Sequence, residues 1–281
     1  MRSPRPCCPN AECAYHQVPP AGFYRKRGYY RPRHNRQPVP RYECRGCGAW
    51  FSSSQAKPTR GQHRPELNRK VLELAVSGVT MRRMAEVLGC SQSTVERKVA
   101  HLAAQAKAHH TKHLTTLSTR YAMFDELETF IHARWKQVSV SVVVRVKTGE
   151  VLAFGVARKP SSMRQGIEGN RWVINDRPQV IPRVLSEAAI GMKAGATLAS
   201  DGDANYGKWV AQTLPGITHA KLRSPTVPEY DPLFAINLAF AKMRNDLARL
   251  GRKTWTTTKT LKGLENHLWL WVAWTNDYQL R

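Results

Sequence analysis

Five of the six cysteines stand in two short stretches, "CCPNAEC" at 7–13 and "CRGC" at 44–47: Cys7, Cys8, Cys13, Cys44 and Cys47. Two close pairs separated by a long loop can place four thiolates around one zinc ion, with Cys8 and Cys13 facing Cys44 and Cys47. The CxxC pair is the firmer half; in the other, Cys7 can replace Cys8, and His16 or His34 can stand in for one thiolate. Ordinary free cysteines in a reducing compartment are the competing reading. Further along, Asp125 in "MFDELETF" and Asp201 in "ATLASDGD" offer hard carboxylate oxygens of the kind that bind Mg²⁺ or Mn²⁺. Solvated turn residues at strand ends are the alternative there. One polar residue, Asn237, interrupts the apolar run "FAINLAFAKMR" at 234–244.

These residues need elements to position them. Between the cysteine pairs runs "GFYRKRGYYRPRHNRQPVPRY", where cations alternate with aromatics as they would for phosphate contacts and base stacking, or on a solvated hairpin. So small a domain has little apolar core, and metal would supply most of its stability. From Pro65 the periodicity becomes helical: Leu67, Val71, Leu74 and Ala75, then Gly78, then "TMRRMAEVLG" with Thr80 as N-cap and Gly89 as stop. "CSQSTVERKVAHLAAQA" follows, with Ser91 as N-cap and Val95, Val99 and Leu102 as the inward stripe. The second helix then presents Gln92, Ser93, Thr94, Arg97 and Lys98 outward, as a recognition helix does in the major groove. A generic three-helix bundle with polar faces is the plainer reading. "HHTKH" at 109–113 reads as part of a basic linker helix.

Beyond residue 118 three β-branched runs, a helix, the strand "ATLASDGD" and further helices predict an α/β domain. Asp125 lies within its first strand and Asp201 ends its fourth. If those strands are neighbours, the two carboxylates converge. In the following helix Leu233, Ile236, Phe240, Met243, Leu247 and Leu250 form a buried stripe. Asn237, Ala241, Arg244 and Ala248 run beside it, so Asn237 and Arg244 point the same way two turns apart. A core-edge Asn bonded to a neighbour would also fit.

The totals set limits. With 281 residues the chain holds more than one compact unit, and a formal charge of +24 calls for a polyanion partner, nucleic acid before anionic membrane. Residues 1–115 carry 21 Lys+Arg against 6 Asp+Glu, so the basic half is expected to do the holding. The apolar run "LWLWVAW" at 268–274 is far too short to span a bilayer, and "MRSPRPCCPN" has no secretory apolar stretch. A cytoplasmic, nucleoid-associated protein with reduced cysteines is expected.

The order CPNxxC and RYxCxxC, a helix-turn-helix, "DELETF", "SDGDANYG" and "RLGRKTWTTTK" resembles bacterial insertion-sequence transposases with a ribonuclease-H-like DDE core, the InsA/InsB-like group. The resemblance covers nearly the whole chain. It implies Asp125 and Asp201 as the first and second catalytic carboxylates, binding Mg²⁺ or Mn²⁺. The third acid of such enzymes, usually Glu on a helix before an RLxRKT-like segment, falls on Asn237, and some branches of the group carry Asn there. The resemblance also marks Lys259 as the basic residue after the triad; by charge Arg252, Lys253 and Lys259 suit the DNA backbone, or a solvated helix C-terminus, and Arg244, beside Asn237, suits a phosphate.

The fold expected is therefore multidomain: a zinc ribbon at 1–55, an all-α helix-turn-helix domain with linker helix at 63–115, and a ribonuclease-H-like α/β domain at 118–281. Its partners would be double-stranded DNA, at the element's terminal repeats and the target, and further copies of the chain on that DNA; no membrane partner is expected. The rival is a transposase-derived, catalytically inactive repressor that binds specific DNA.

Overall fold

The computed structural model describes residues 7–31, 37–53, 59, 62–168, 171–222, 231–251 and 256–280. His34, Arg252 and Lys253 lie outside the described residues. The chain divides into two compact units, Met1–Glu66 and Leu67–Leu280.

In the first unit, strands β1 (Tyr24–Tyr30), β2 (Val39–Cys44) and β3 (Trp50–Ser52) form an antiparallel sheet in the order β1-β2-β3. Its buried core is Cys8, Phe23, Cys44 and Phe51, with Tyr15, Tyr24 and Tyr42 packed around them. Phe23 stacks on Phe51 at 5.7 Å between ring centres. Two phenylalanines bury too little surface to hold a unit of this size against its conformational entropy, so a cross-link through the cysteines is the remaining source of stability.

The second unit begins with α1 (Asn68–Ala75), α2 (Met81–Leu88) and α3 (Gln92–Leu114). Thr80 Oγ1 accepts from Arg83 N at the start of α2, and Ser91 Oγ accepts from Thr94 N at the start of α3. Gly89 ends α2 with φ 57°, in the left-handed region where a side chain is disfavoured. The two helices are thus joined by a short capped turn, as the sequence predicts.

The sheet follows: β4 (Thr119–Phe130), β5 (Gln137–Arg145), β6 (Val151–Arg158), β7 (Met192–Ser200) and β8 (Thr218–Lys221). Their order is β6-β5-β4-β7-β8; β4, β5 and β6 pair antiparallel, while β7 pairs parallel with β4 and β8 parallel with β7. Helices α4 (Arg164–Ile167), α5 (Arg177–Ala189), α6 (Ala204–Thr213), α7 (Phe234–Asp246) and α8 (Leu261–Thr275) complete it. The run "VSVSVVV" in β5 is buried from end to end because both sheet faces are covered. Ala122, Phe124, Val143 and Leu198 pack under α5 and α6, whereas Met123, Leu127, Val140 and Val142 pack with α7 and α8. Among the described residues no helix is long and apolar enough to cross a membrane.

The second of those cores also contains Val71, Leu72, Met84, Val95, Val99 and Leu102. Helices α1–α3 are therefore packed into the same unit as the sheet, where periodicity alone separates 63–115 from 118–281. Helix α3 is the reason: at 23 residues it is about 35 Å long and lies along α8. Its His110 is fully buried, a core residue where the sequence reads a linker. His110 Nε2 donates to the carbonyl of Leu152 at 3.0 Å, which leaves Nδ1 to accept from the Tyr278 hydroxyl at 2.7 Å. Burial holds its pKa down to about 4, so the ring is neutral.

A chain shortened to residues 118–281 exposes the α8 surface that α3 covers. It should be aggregation-prone and melt without a sharp transition, whereas 67–281 melts cooperatively. Circular dichroism melts of the two would check this, and a cooperative melt of 118–281 would show that α1–α3 are dispensable for the fold.

Candidate metal centre and acidic cleft

The Sγ atoms of Cys8, Cys13, Cys44 and Cys47 all lie within 4.8 Å of one another, with Cys8 to Cys47 at 3.4 Å and Cys13 to Cys44 at 3.8 Å. Thiolates about 2.3 Å from a tetrahedral zinc stand about 3.8 Å apart, so four sulfurs at these separations fit one ion. The cluster is zinc-ribbon-like. Cys8, buried, belongs to it and exposed Cys7 does not. His16 Nδ1 is engaged with the Cys8 carbonyl at 2.7 Å, so its ring serves the loop. Gly46 makes the second turn possible: a Cβ there would meet Tyr15 Cε2 at 2.8 Å. Burial pushes the Cys8 thiol up to about 12, while the backbone N–H of Ala49 brings Cys47 down to about 7.

Strand pairing makes a different site at the other end of the chain. In the parallel pair of β4 and β7, Phe124 is opposite Ser200, so Asp125 and Asp201 follow side by side. β7 stops at Ser200 while β4 continues to Phe130, and beyond that step opens a cleft of ≈160 Å³. Asp125, Glu126, Asp201, Asp203, Lys159 and Arg177 are among its lining residues. This is the carboxyl end of the parallel strands, the usual position of a site in an α/β sheet.

Neighbouring carboxylates have different surroundings here. Glu126 is on the α5–α6 side, gripped by both oxygens by Arg177, bonded by Ser139 and reached by the Tyr206 hydroxyl at 3.0 Å. Arg177 also reaches Asp203 at 3.3 Å, and Asp203 accepts from Asn205 N at 2.8 Å as the cap of α6. Those two acids are committed to structure. Asp125, by strand alternation, is on the side of Met123 and Leu127. It accepts from Glu126 N at 2.7 Å, and Asp201 accepts from Asp203 N at 3.0 Å. Among the described residues neither has an ion-pair partner. Burial first, then the charges of Asp201 and Glu126, push Asp125 up to about 6. Two unpaired carboxylates on hard oxygen, one resisting ionisation, fit a divalent cation chemically.

Helix α7 lies against β4 and β5 with Leu233, Ile236, Phe240, Met243, Leu247 and Leu250 buried, the stripe expected from the sequence. Asn237 is exposed, Arg244 half-buried, and neither is in the lining of the acidic cleft. Asn237 Nδ2 donates to Asp231 Oδ2 at 2.8 Å, and the other oxygen of Asp231 accepts from Leu233 N at 2.9 Å. The structure thus brings Asp125 and Asp201 together and holds Asn237 at the helix start. Sequence reasoning missed Asp231, although an acid just ahead of a helix is a capping signal. It missed Arg177 too, since no local pattern links it to Glu126.

On α3, Gln92, Ser93 and Arg97 are exposed and Thr94 is half-buried against Ser91. Lys98 is a correction: it is 4% exposed, and its Nζ donates to Asn68 Oδ1 at 2.9 Å. Residues 95, 98, 99 and 102 share one helical face, so position 98 turns inward with the stripe. Lys259 is exposed, its Nζ donating to Thr257 Oγ1 at 3.0 Å. No protein-family model matches the chain, and no curated protein matches it.

Cys44→Ser should lose the metal and unfold residues 7–53 while residues 67–280 keep their melting transition; zinc retained at one per chain would refute the cluster. Asp125 supplies a pH signature in metal-free protein. Its folded pKa of about 6 exceeds the ordinary 3.8, so the native state binds more protons between those values and stability rises as pH falls through them. Asp125→Asn should therefore melt several degrees above wild type at pH 8, with the gain gone at pH 4. Equal melting at pH 8 would show that the carboxylate is not under strain.

Proposed function

We propose that the chain is a DNA transposase: a zinc ribbon and a helix-turn-helix hold the element ends, and a ribonuclease-H-like core cuts and joins strands. The observation that carries this reading is the pairing of Asp125 with Asp201 at the open end of two parallel strands. A five-stranded sheet with three antiparallel strands followed by two parallel ones supports it, since ribonuclease-H-like cores share that plan. So do the four-cysteine cluster and the capped pair α2–α3.

In this reading Asp125 and Asp201 hold Mg²⁺ or Mn²⁺. When bound, the cation supplies Lewis-acid charge that eases attack of water, and later of a 3′-hydroxyl, on a DNA phosphodiester. Asp125 must be ionised to bind it, so activity falls as pH drops below about 6. Asn237 is the third position. Because the Asp231 carboxylate can only accept, it fixes the amide with Nδ2 on Asp231 and leaves Oδ1 as the atom available to a cation. A neutral oxygen binds a hard cation more weakly than a carboxylate, which raises the metal requirement. Glu126 stays paired with Arg177 and keeps the cleft wall in place. Gln92, Ser93, Thr94 and Arg97 read bases, and Arg244 and Lys259 hold phosphate.

The second reading, a DNA-binding repressor that no longer cuts, is favoured by the position of Asn237 outside the cleft lining. A strand-transfer assay on labelled DNA flanking the gene separates the two. Asp125→Ala and Asp201→Ala should each abolish Mg²⁺-dependent transfer and leave end binding nearly unchanged. Binding itself should weaken roughly 10³-fold between about 50 and 200 mM salt. Wild-type protein that binds the ends tightly and never transfers strands would leave the repressor reading standing.

A further inference from the structure

A second cleft, of ≈180 Å³, opens where the first turn of α2 meets the segment leading into α8. Thr80, Arg82, Gln92, Arg249, Lys259 and His267 line it, and no carboxylate is among its described lining residues. Three cations line it; Arg82 is offset by Glu86 at 3.8 Å, whereas Arg249 and Lys259 have no acidic partner among the described residues.

Arg249 is the most telling of these. It belongs to a 3-10 turn, Ala248–Leu250, and is half-buried; among the described residues it has neither an acidic nor a hydrogen-bonding partner. Burial alone lowers its pKa, to about 10, so it is still charged at neutral pH. Its guanidinium lies on the first turn of α8, where a Cβ on Gly263 would stand 3.2 Å from Nη1. A charge drawn out of water without a partner is unfavourable until one joins it. Beside it His267 is 6% exposed, with Nδ1 donating to the Gly263 carbonyl at 3.0 Å. That leaves Nε2 toward the cleft with no described partner. Burial and the Arg249 charge hold the ring down to about 4, hence neutral. The groups facing it are all cationic: Arg82 from α2, Arg249 from the 3-10 turn and Lys259 from the segment before α8. Burial is the larger cause and persists with an anion present, so the ring stays neutral and forms a wall of the cleft. The capped start of α2 adds the positive end of a helix dipole.

We propose that this cleft seats one backbone phosphate of DNA, held by Arg249 and Lys259 beside Gln92 at the start of α3. That the occupant is DNA rests on the transposase reading; that it is a phosphate rests on the unpaired cations. The seat sets the register of the recognition helix along the duplex and carries no sequence information.

The test uses the zinc-loaded full chain and Arg249→Gln. Removing a half-buried unpaired charge should leave the variant folded, which its melt without phosphate checks. Inorganic phosphate at constant ionic strength should raise the melting temperature of wild type and not of the variant. In anisotropy titrations with duplex DNA, Arg249→Gln should weaken specific and nonspecific binding alike, about tenfold, and lower the slope of log K against log salt by about 1. Loss of both effects in the variant supports the seat. Phosphate stabilisation that needs Arg249, with unchanged DNA slopes, overturns DNA as the occupant and points to a free phosphate. Stabilisation that needs Arg249 in a protein that binds no DNA keeps the seat and removes the transposase reading. Identical behaviour of both proteins in both arms overturns the seat itself.

Discussion

Parallel pairing of β4 with β7 aligns Phe124 with Ser200, and every feature of the acidic cleft depends on that register. A shift of one residue on β4 would send Asp125 under α5 and α6, and would bring Glu126 to the side of α7. As it stands, adjacent acids on one strand have opposite fates. Glu126 enters a network with Arg177, Tyr206 and Ser139 that offsets its charge. Asp125 remains beside Asp201 with a backbone N–H and the nearby Tyr206 hydroxyl to steady it and no cation, and its proton affinity rises accordingly. Strain of this kind, concentrated on one carboxylate in a cleft, is the electrostatic mark of a binding site.

The same unit depends on α3 as a strut. Val95, Val99 and Leu102 at one end pack with α1 and α2, while His110 at the other is bonded to Leu152 and Tyr278. Asn276 closes the joint by donating to the Val151 carbonyl and to the Tyr278 hydroxyl. On the far side of the helix pair, Gly78 N donates to the Asp246 carbonyl at 2.7 Å, and the Asp246 side chain accepts from Trp271 Nε1 at 3.1 Å. These contacts fix the outer face of α3 relative to the carboxylates by packing rather than by a flexible linker. On the transposase reading, DNA held on that face would meet the cleft at a set distance.

The basic cleft and the acidic cleft are complementary in kind. One holds two carboxylates, Asp125 and Asp201, that no described cation pairs, the other two cations, Arg249 and Lys259, that no described carboxylate pairs, and each contains a titratable group displaced from its ordinary value. Other half-buried charges of this unit are paired, Arg158 with Asp176 and Arg145 with Glu150 among them. Unpaired charge of opposite sign at two separate places is what a site for a metal and a site for a phosphate have in common.

Much of this was legible from local pattern. Cysteine spacing marked the sulfur cluster, since ligand geometry is set by a short turn; Thr80, Ser91 and Gly89 marked helix ends, since capping involves residues a few positions apart. The stripe of Leu233, Ile236, Phe240 and Met243 and the alternation along β4 were legible for the same reason. What periodicity could not decide was which remote element covers each face. Lys98 turns inward because α1 places Asn68 opposite it, and His110 is a core residue because β6 and the C-terminal Tyr278 close over α3. Asn237 is tied to Asp231, Glu126 to Arg177, and Arg249 to no described partner. The sequence by itself determined the elements and the identity of the reactive groups, because those follow from nearest neighbours along the chain. Only the tertiary structure decided which of those groups are paired and which are left to bind something else, because pairing depends on segments brought together across as many as 168 positions of sequence.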